Sequence, residues 1–366
     1  MGVDARELQG RPTGTGRYLR SLLDQWREGP DRFVLYFNGP APADRRLSAP
    51  RLRLRPLGGT AIRGLAWQQR ALPAAAREDG LDVFLSPAYT CPLSLPVPRV
   101  TAVHDLSFFS LPQDFPLLDG LRRRLLVVAS VRVSSGLLAC SDFTAREIAA
   151  RFPDAADKIA TVRLGADDDL EPPPPREAAR ARLGVTGSLV LTVGAILNRR
   201  RLPELLRAIA RVRARRPDLV LDVVGENRTH PRLDLRAMAD RLGLAAAVRF
   251  SGFVDEAGLA DRYAAADAAV FLSDYEGFGL PAVEAAARGV PLVASRRPAL
   301  GEIVGEAALG VEPEDETAVA GALDRVLGDP TLRADLVRRG RMLAARCSWK
   351  EAAARTREVL LRAARR

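Results

Sequence analysis

Apolar runs of four or five residues recur along the chain, separated by longer stretches with helical spacing. FVLYF from Phe33, DVFLS from Asp82, RVTAV from Arg99, GLLAC from Gly136 and IATVR from Ile159 make a first series. SLVLTVG, LVLDVVG, AVRFSGF, AAVFLS, VPLVAS and ALGVEP make a second. Several runs are apolar at every position, which is what a parallel strand covered by helices on both faces requires. Between the series lies ADDDLEPPPPREAARARLGVTG, whose acidic cluster and four consecutive prolines predict a linker. The rhythm thus predicts two Rossmann-like, doubly wound α/β domains. They span 1–165 and 188–345, with a linker over 166–187 and a closing helix over 346–366 anchored by Trp349. In such folds ligands bind beyond the carboxyl ends of the strands, so a cleft between two facing domains is the expected site.

A chain of 366 residues that is 47% hydrophobic can fill two cores. Cys91, Cys140 and Cys347 form no even framework and no metal-like spacing, so reduced thiols and a cytoplasmic protein are expected. No basic-then-apolar leader opens the sequence, and no apolar run reaches the ~20 residues of a membrane span. The net charge of +10 is carried almost wholly by arginine, Lys158 and Lys350 being the lysines. Solvated arginine faces account for most of it, and a remainder can attract phosphates or an anionic lipid surface. Few aromatics are interleaved with the arginines, so nucleic acid is not an expected partner.

Chemistry concentrates in DYEGFGLPAVEAAARGVP, from Asp274. The buried run AAVFLS ends just before it, so the segment leaves the carboxyl end of a strand. Pro281 suits the first turn of a helix, and Gly277 and Gly279 let backbone approach a ligand closely. Glu276 falls on the loop and Glu284 about one turn into the helix. A carboxylate can accept from two vicinal hydroxyls, such as a sugar or a ribose offers. An acid in a first helical turn also complements the helix dipole without any ligand. A second constellation is LTVGAILNRRRLPELL, where a strand ends at Gly194 and Arg199, Arg200 and Arg201 precede a helix starting near Pro203. Arginines before a helix N-terminus suit a diphosphate. His104 and Asp105 follow RVTAV at a strand's carboxyl end, whereas His230 reads as surface. Gly14 and Gly16 in QGRPTGTGRY make a weak dinucleotide fingerprint that also reads as a flexible turn.

The segment EGFGLPAVEAAARGVPLVAS resembles the E-x7-E signature of family 4 glycosyltransferases, retaining enzymes of the GT-B fold. GVDARELQGRPTGTGRY, AVHDLSF, SDFTAREI and RFSGFVDEAGLADRYAAADAAVFLS extend the resemblance over most of the chain. It implies that Glu284 holds the donor ribose, Glu276 the transferred sugar, and the amides of Phe278, Gly279 and Leu280 the sugar and diphosphate. It implies a diphosphate clamp from Arg199 and Arg200 beyond Gly194, with Gly14 to Gly16 closing over the diphosphate. Phe253 and Val254 would hold the nucleobase, His104 the sugar, and Asp105 would approach the acceptor. The family loop usually reads G-R-x-x-x-x-K; Ala195 and Arg200 stand at its two basic positions here.

The resemblance further implies a nucleoside diphosphate sugar as donor, a saccharide or lipid-linked acceptor, no cofactor and no divalent metal. Bacterial mannosyltransferases look closest, which favours GDP-mannose over UDP-glucose; a sugar-nucleotide epimerase of the same fold is the nearest rival. A nicotinamide oxidoreductase lacks its three-glycine fingerprint here. The stretch PLLDGLRRRLLVVASV, from Pro116, resembles basic helices on which family members rest on membranes. An ordinary core-facing helix with an arginine face is the favoured reading.

Overall fold

The computed structural model describes residues 1–11, 13–57, 64–166 and 173–365. Contacts divide it into two units. Unit 1 comprises Met1–Ser110, Leu118–Gly165 and Ser348–Arg366, and unit 2 comprises Leu111–Leu117 and Ala166–Cys347. In unit 1 the strands are β1 (Gly2–Asp4), β2 (Phe33–Phe37), β3 (Leu52–Pro56), β4 (Phe84–Ser86), β5 (Arg99–Val103), β6 (Gly136–Ala139) and β7 (Ile159–Thr161). They form one parallel sheet in the order β3-β2-β1-β4-β5-β6-β7. Unit 2 holds β8 (Leu189–Val193), β9 (Val220–Val224), β10 (Val248–Gly252), β11 (Ala268–Phe271), β12 (Leu292–Ser295) and β13 (Ala308–Val311). Their order is β10-β9-β8-β11-β12-β13, again all parallel. Each sheet is doubly wound, reversing its direction of growth once, between β1 and β4 and between β8 and β11. That reversal is where the connecting segments part and leave room for a ligand.

The six strands of unit 2 coincide with the six apolar runs of the second series. They do so because both faces are covered. Val190, Leu221, Val223 and Val270 feed one core layer, while Leu191, Val193, Ala269 and Phe271 feed the other. Unit 1 adds two strands the runs do not announce. β1 has only three residues and ends in Asp4, and β3, LRLRP, is an edge strand whose arginines alternate toward solvent. The stretch 166–187, expected as linker, is helical over Arg176–Leu183. Ala179 and Leu183 pack there with Leu189 and Ala265, and Arg176 reaches the Ala266 carbonyl at 2.8 Å. Its acidic residues 167–169 lie outside the described residues.

Ser141 caps the Asp142–Arg151 helix by accepting from the Thr144 N–H at 3.1 Å. Thr144 lies inside the helix, and Glu147 accepts from Ser110 at 3.2 Å. The last helix, Trp349–Ala364, belongs to unit 1. It packs on the Gly14–Trp26 helix, where the Trp26 indole donates to the Ala353 carbonyl at 3.1 Å. Trp349 is buried beside Tyr18, with ring centroids 6.4 Å apart. Gly165 makes this approach feasible: a β-carbon there would lie 2.3 Å from the Trp349 nitrogen and 2.5 Å from its ring. Gly165→Ala should therefore cost about 1–3 kcal/mol of unfolding free energy through overpacking, read from urea melts; an unchanged midpoint would contradict the contact.

Candidate functional site

The β8–β11 reversal gathers most of the residues singled out in the sequence. β8 ends at Val193 and passes into Gly194, whose φ of +118° only glycine adopts readily. After Ile196 the chain makes a tight turn over Asn198–Arg200, and a helix begins at Leu202 with Pro203 in its first turn. β11 delivers Ser273, Asp274 and Glu276 beside that turn. The Asp274 N–H donates to the Arg199 carbonyl at 2.8 Å, which stitches the two loops together.

Charges meet across the stitch. The Arg200 Nε donates to the Glu276 Oε1 at 3.0 Å, Ser273 donates to the same oxygen at 2.9 Å, and an Arg200 terminal nitrogen donates to the Val193 carbonyl at 3.2 Å. The Arg200 guanidinium runs over Gly194 to get there: a β-carbon on Gly194 would lie 1.9 Å from it. Arg201 is fixed in place. Its backbone is left-handed, its Nε pairs with Asp274, and its Nη1 lies 3.3 Å from Glu204. Burial pushes the Asp274 carboxyl up against the opposing pull of Arg201. Asp114, which sequence patterns do not mark, accepts from the Arg199 backbone N–H. Position 195 is a half-buried alanine.

Beyond Glu276 the loop turns at Gly279 with φ +86°, and the Leu280–Ala287 helix starts there. A β-carbon on Gly279 would meet the Leu300 side chain at 2.7 Å, so this glycine serves both conformation and packing. Phe278 is buried. Glu284 lies within the helix, only 5% exposed, and accepts from the Tyr263 hydroxyl at 3.3 Å. A carboxylate this buried is unusual for a residue that only complements a helix dipole. Phe253 and Val254 follow β10; Phe253 is 46% exposed, uncommon for a phenylalanine. His230, read as surface, is half-buried, and its backbone N–H donates to the Asn198 side chain at 2.6 Å. A cavity of about 710 Å³ opens beside these loops, lined among others by Ile196, Gly225, Asn227, Arg236 and Phe250.

Four singled-out residues belong to unit 1. His104 follows β5 at its carboxyl end; its Nε2 lies 2.7 Å from the Pro87 carbonyl, and burial lowers its pKa. Asp105 accepts from the Ser107 N–H and hydroxyl at 2.9 and 2.7 Å. Gly14 and Gly16 are not a free turn. They open the Gly14–Trp26 helix, capped by Thr13, whose Oγ1 accepts from the Gly16 N–H at 2.9 Å. Gly16 is a packing glycine, because a β-carbon there would lie 2.4 Å from the Glu7 carbonyl.

Residues 175–342 match the family model described as Glycosyl transferases group 1, and residues 12–170 match that described as Glycosyltransferase Family 4. The O-antigen chain mannosyltransferase B of Escherichia coli is 31% identical over 265 residues, which cover 70% of this chain and 68% of that one. The chain belongs to glycosyltransferase family 4. A D-inositol 3-phosphate glycosyltransferase 2 of Catenulispora acidiphila is 38% identical over 251 residues, 63% of this chain but only 57% of that relative. Solved structures give the fold. Sucrose-phosphate synthase from Thermosynechococcus elongatus superposes with a TM-score of 0.81 at 21% identity, over 99% of this chain and 98% of that one. Anabaena HepE in complex with UDP-glucose superposes at 0.78 and 20% identity, over 98% and 99%. The fold of this family 4 chain is GT-B.

The positive φ at Gly194 sets a test of the loop geometry. Gly194→Ala forces a β-carbon into strained backbone and into the Arg200 guanidinium. It should lose about 1–3 kcal/mol of stability, measured by chemical denaturation, with Arg200→Ala in the same assay as the reference for losing the ion pair alone. Equal losses in the two variants would mean that strain at 194 is negligible.

Proposed function

We propose that this protein is a retaining hexosyltransferase that uses a nucleoside diphosphate sugar, GDP-mannose first, and a saccharide or lipid-linked acceptor. The observation that carries the reading is the Arg200–Glu276 ion pair at the β8–β11 reversal, with buried Glu284 one helical turn beyond. The pair brings together the two charges the chemistry needs at neighbouring points. A cation is wanted where the sugar–phosphate bond breaks, and a carboxylate where hydroxyls of the sugar are held. In this reading Glu284 takes the ribose hydroxyls, Phe253 and Val254 flank the base, and the amides of Phe278, Gly279 and Leu280 contact sugar and diphosphate. Gly14 and Gly16 approach the diphosphate, and His104 and Asp105 serve sugar and acceptor.

The bond from the anomeric carbon to the diphosphate oxygen breaks, and a bond to the acceptor oxygen forms on the same face. The acceptor's proton passes to the departing phosphate. Negative charge grows on that phosphate as the bond lengthens. Arg199 and Arg200 stabilise the transition state more than the bound donor, and that difference is what accelerates turnover. With Ala195 in place of a second family base, the charge rests on these arginines and on the N–H groups opening the Leu280 helix. The reaction is proposed to need no divalent metal.

Mannose is favoured because the relatives include the O-antigen mannosyltransferase and an MMP alpha-(1->4)-mannosyltransferase of Mycolicibacterium hassiacum. The UDP-glucose held by HepE supports UDP-glucose as the second reading. Thermal unfolding with GDP, UDP, ADP or dTDP in EDTA separates them. At a hundredfold excess over Kd a nucleotide adds about 2.7 kcal/mol to the folded state. GDP alone should raise the transition, and Glu284→Ala should abolish that rise while Glu276→Ala keeps it and loses turnover. A UDP-only shift would move the donor to the glucose type; a rise only with magnesium would overturn metal independence.

Peripheral membrane contact is part of the proposal. In the Leu117–Val133 helix Leu117, Leu118 and Leu125 are 83%, 80% and 62% exposed beside exposed Arg122 and Arg123, so the core-facing reading fails for these leucines. No helix of the described residues is long and apolar enough to cross a membrane. An exposed leucine face flanked by arginines suits the surface of an anionic bilayer. Vesicles containing anionic phospholipid should sediment the protein, and Leu118→Glu with Leu125→Glu should release it. Equal sedimentation of that double variant would remove the helix from the contact.

A further inference from the structure

Tyr89 is one of three non-glycine residues with positive φ among the described residues, at +59°. Arg201, another, is explained by its place in the arginine loop. Tyr89 lies in the connection after β4, and no sequence pattern marks it. Its backbone closes a tight turn in which the Thr90 N–H donates to the Ala88 carbonyl at 2.6 Å. Its own N–H is pinned to the Ala102 carbonyl of β5 at 2.8 Å. A three-residue turn with positive φ at a bulky side chain costs free energy and persists only when its surroundings impose it.

The strained turn has three consequences, all at one place. The Tyr89 ring meets the His104 imidazole edge-on, 5.6 Å between centroids at 72°. Its hydroxyl donates to the Asp105 Oδ2 at 3.2 Å, opposite the oxygen that accepts from Ser107. Two residues before it, the Pro87 carbonyl is presented to the His104 Nε2 at 2.7 Å. Tyr18 also meets the imidazole edge-on, at 5.0 Å and 80°. A carbonyl oxygen only accepts, so Nε2 must carry the hydrogen. Burial, which lowers the imidazole pKa, favours the neutral ring, and Asp105 and the Pro87 bond pull the other way. In a neutral ring with Nε2–H, Nδ1 is a bare lone pair.

We infer that the Tyr89 turn is a positioning element that holds His104 as the Nε2–H tautomer, so that His104 accepts through Nδ1 from a substrate hydroxyl while Asp105 is oriented by the Tyr89 phenol. This rests on the proposed roles of His104 and Asp105 at the sugar and acceptor. It adds the direction of the hydrogen bond and the residue that sets it. His104 takes a hydroxyl proton's interaction and does not donate to the departing phosphate. The preferred partner is thus an O–H group, and a sugar lacking the hydroxyl at that position should lose turnover.

With only two histidines in the chain, the imidazole is directly readable. Nitrogen-15 spectra of histidine-labelled full-length protein, assigned with His230→Gln, should show Nε2 protonated and Nδ1 as a bare, pyridine-type nitrogen. An Nδ1–H tautomer would overturn the inference whether or not any sugar donor is found. Tyr89→Phe keeps ring and turn but removes the phenol. It should lower kcat about tenfold, with nucleotide affinity and melting temperature within error of the parent. His104→Asn, whose amide oxygen can stand for Nδ1, should retain more turnover than His104→Gln, whose amide mimics Nε2. Unchanged kcat in Tyr89→Phe, or a melting temperature that falls in step with kcat, would reduce Tyr89 to a structural residue. A parent protein inert with every donor would sink the proposed transferase and leave the tautomer to be decided by the nitrogen spectra alone.

Discussion

Burial of a parallel sheet on both faces is the constraint from which the rest follows. A strand covered above and below can carry few polar side chains along its length. The sequence therefore pushes its chemistry to the strand ends, where backbone groups also leave the ladder. In unit 2 the ends of β8 and β11 meet at the reversal of winding, and Arg200, Asp274 and Glu276 occur there because interior strand positions exclude them. A charge inside the sheet has to be paired there. Asp222 on β9 is 1% exposed and needs Arg262 at 2.9 Å and Ser251 at 2.6 Å. The Arg262 guanidinium is in turn held by the Gly258 carbonyl. Removing either charge alone would strand the other without solvent.

Much of unit 2 was legible in the sequence for that reason. Runs apolar at every position have few ways to fold, and Gly-Phe-Gly-Leu-Pro after AAVFLS fixes a loop followed by a helix. The acidic pair of that loop and the arginines after Gly194 were found by residue type and place. Their mutual contact was not. Whether Arg200 reaches a phosphate or Glu276 depends on the distance between two loops 76 residues apart, which no local pattern contains.

The misses share one cause. Tyr89, Tyr263, Ser273 and Asp114 matter through a single hydroxyl or carboxyl delivered to a partner remote in sequence or turned by local backbone. β1 escaped because a three-residue strand flanked on both sides by β2 and β4 takes its stability from neighbours rather than from its own composition. Gly14 and Gly16 read as a loop because glycine disfavours helix interiors. Thr13 and the Glu7 carbonyl overrule that preference at Gly16, the first by accepting from its N–H and the second by leaving no room for a β-carbon. The exposed leucines after Pro116 show the reverse case, in which periodicity identified the helix correctly but could not say which face lay against protein.

The return of the last helix to unit 1 has a consequence for how the chain comes into being. Trp26 bonds to Ala353, 327 residues later, and Gly165 packs against Trp349. Every residue of unit 2 has been made once residue 347 has. Unit 1 is begun first and finished last. Emerging from a ribosome at several residues per second, its sheet waits with one helical face uncovered while the whole of the second unit is translated. The interval is one in which β1–β7 rely on partial packing, and it closes only when Ser348 onward arrives to cover the Gly14–Trp26 helix.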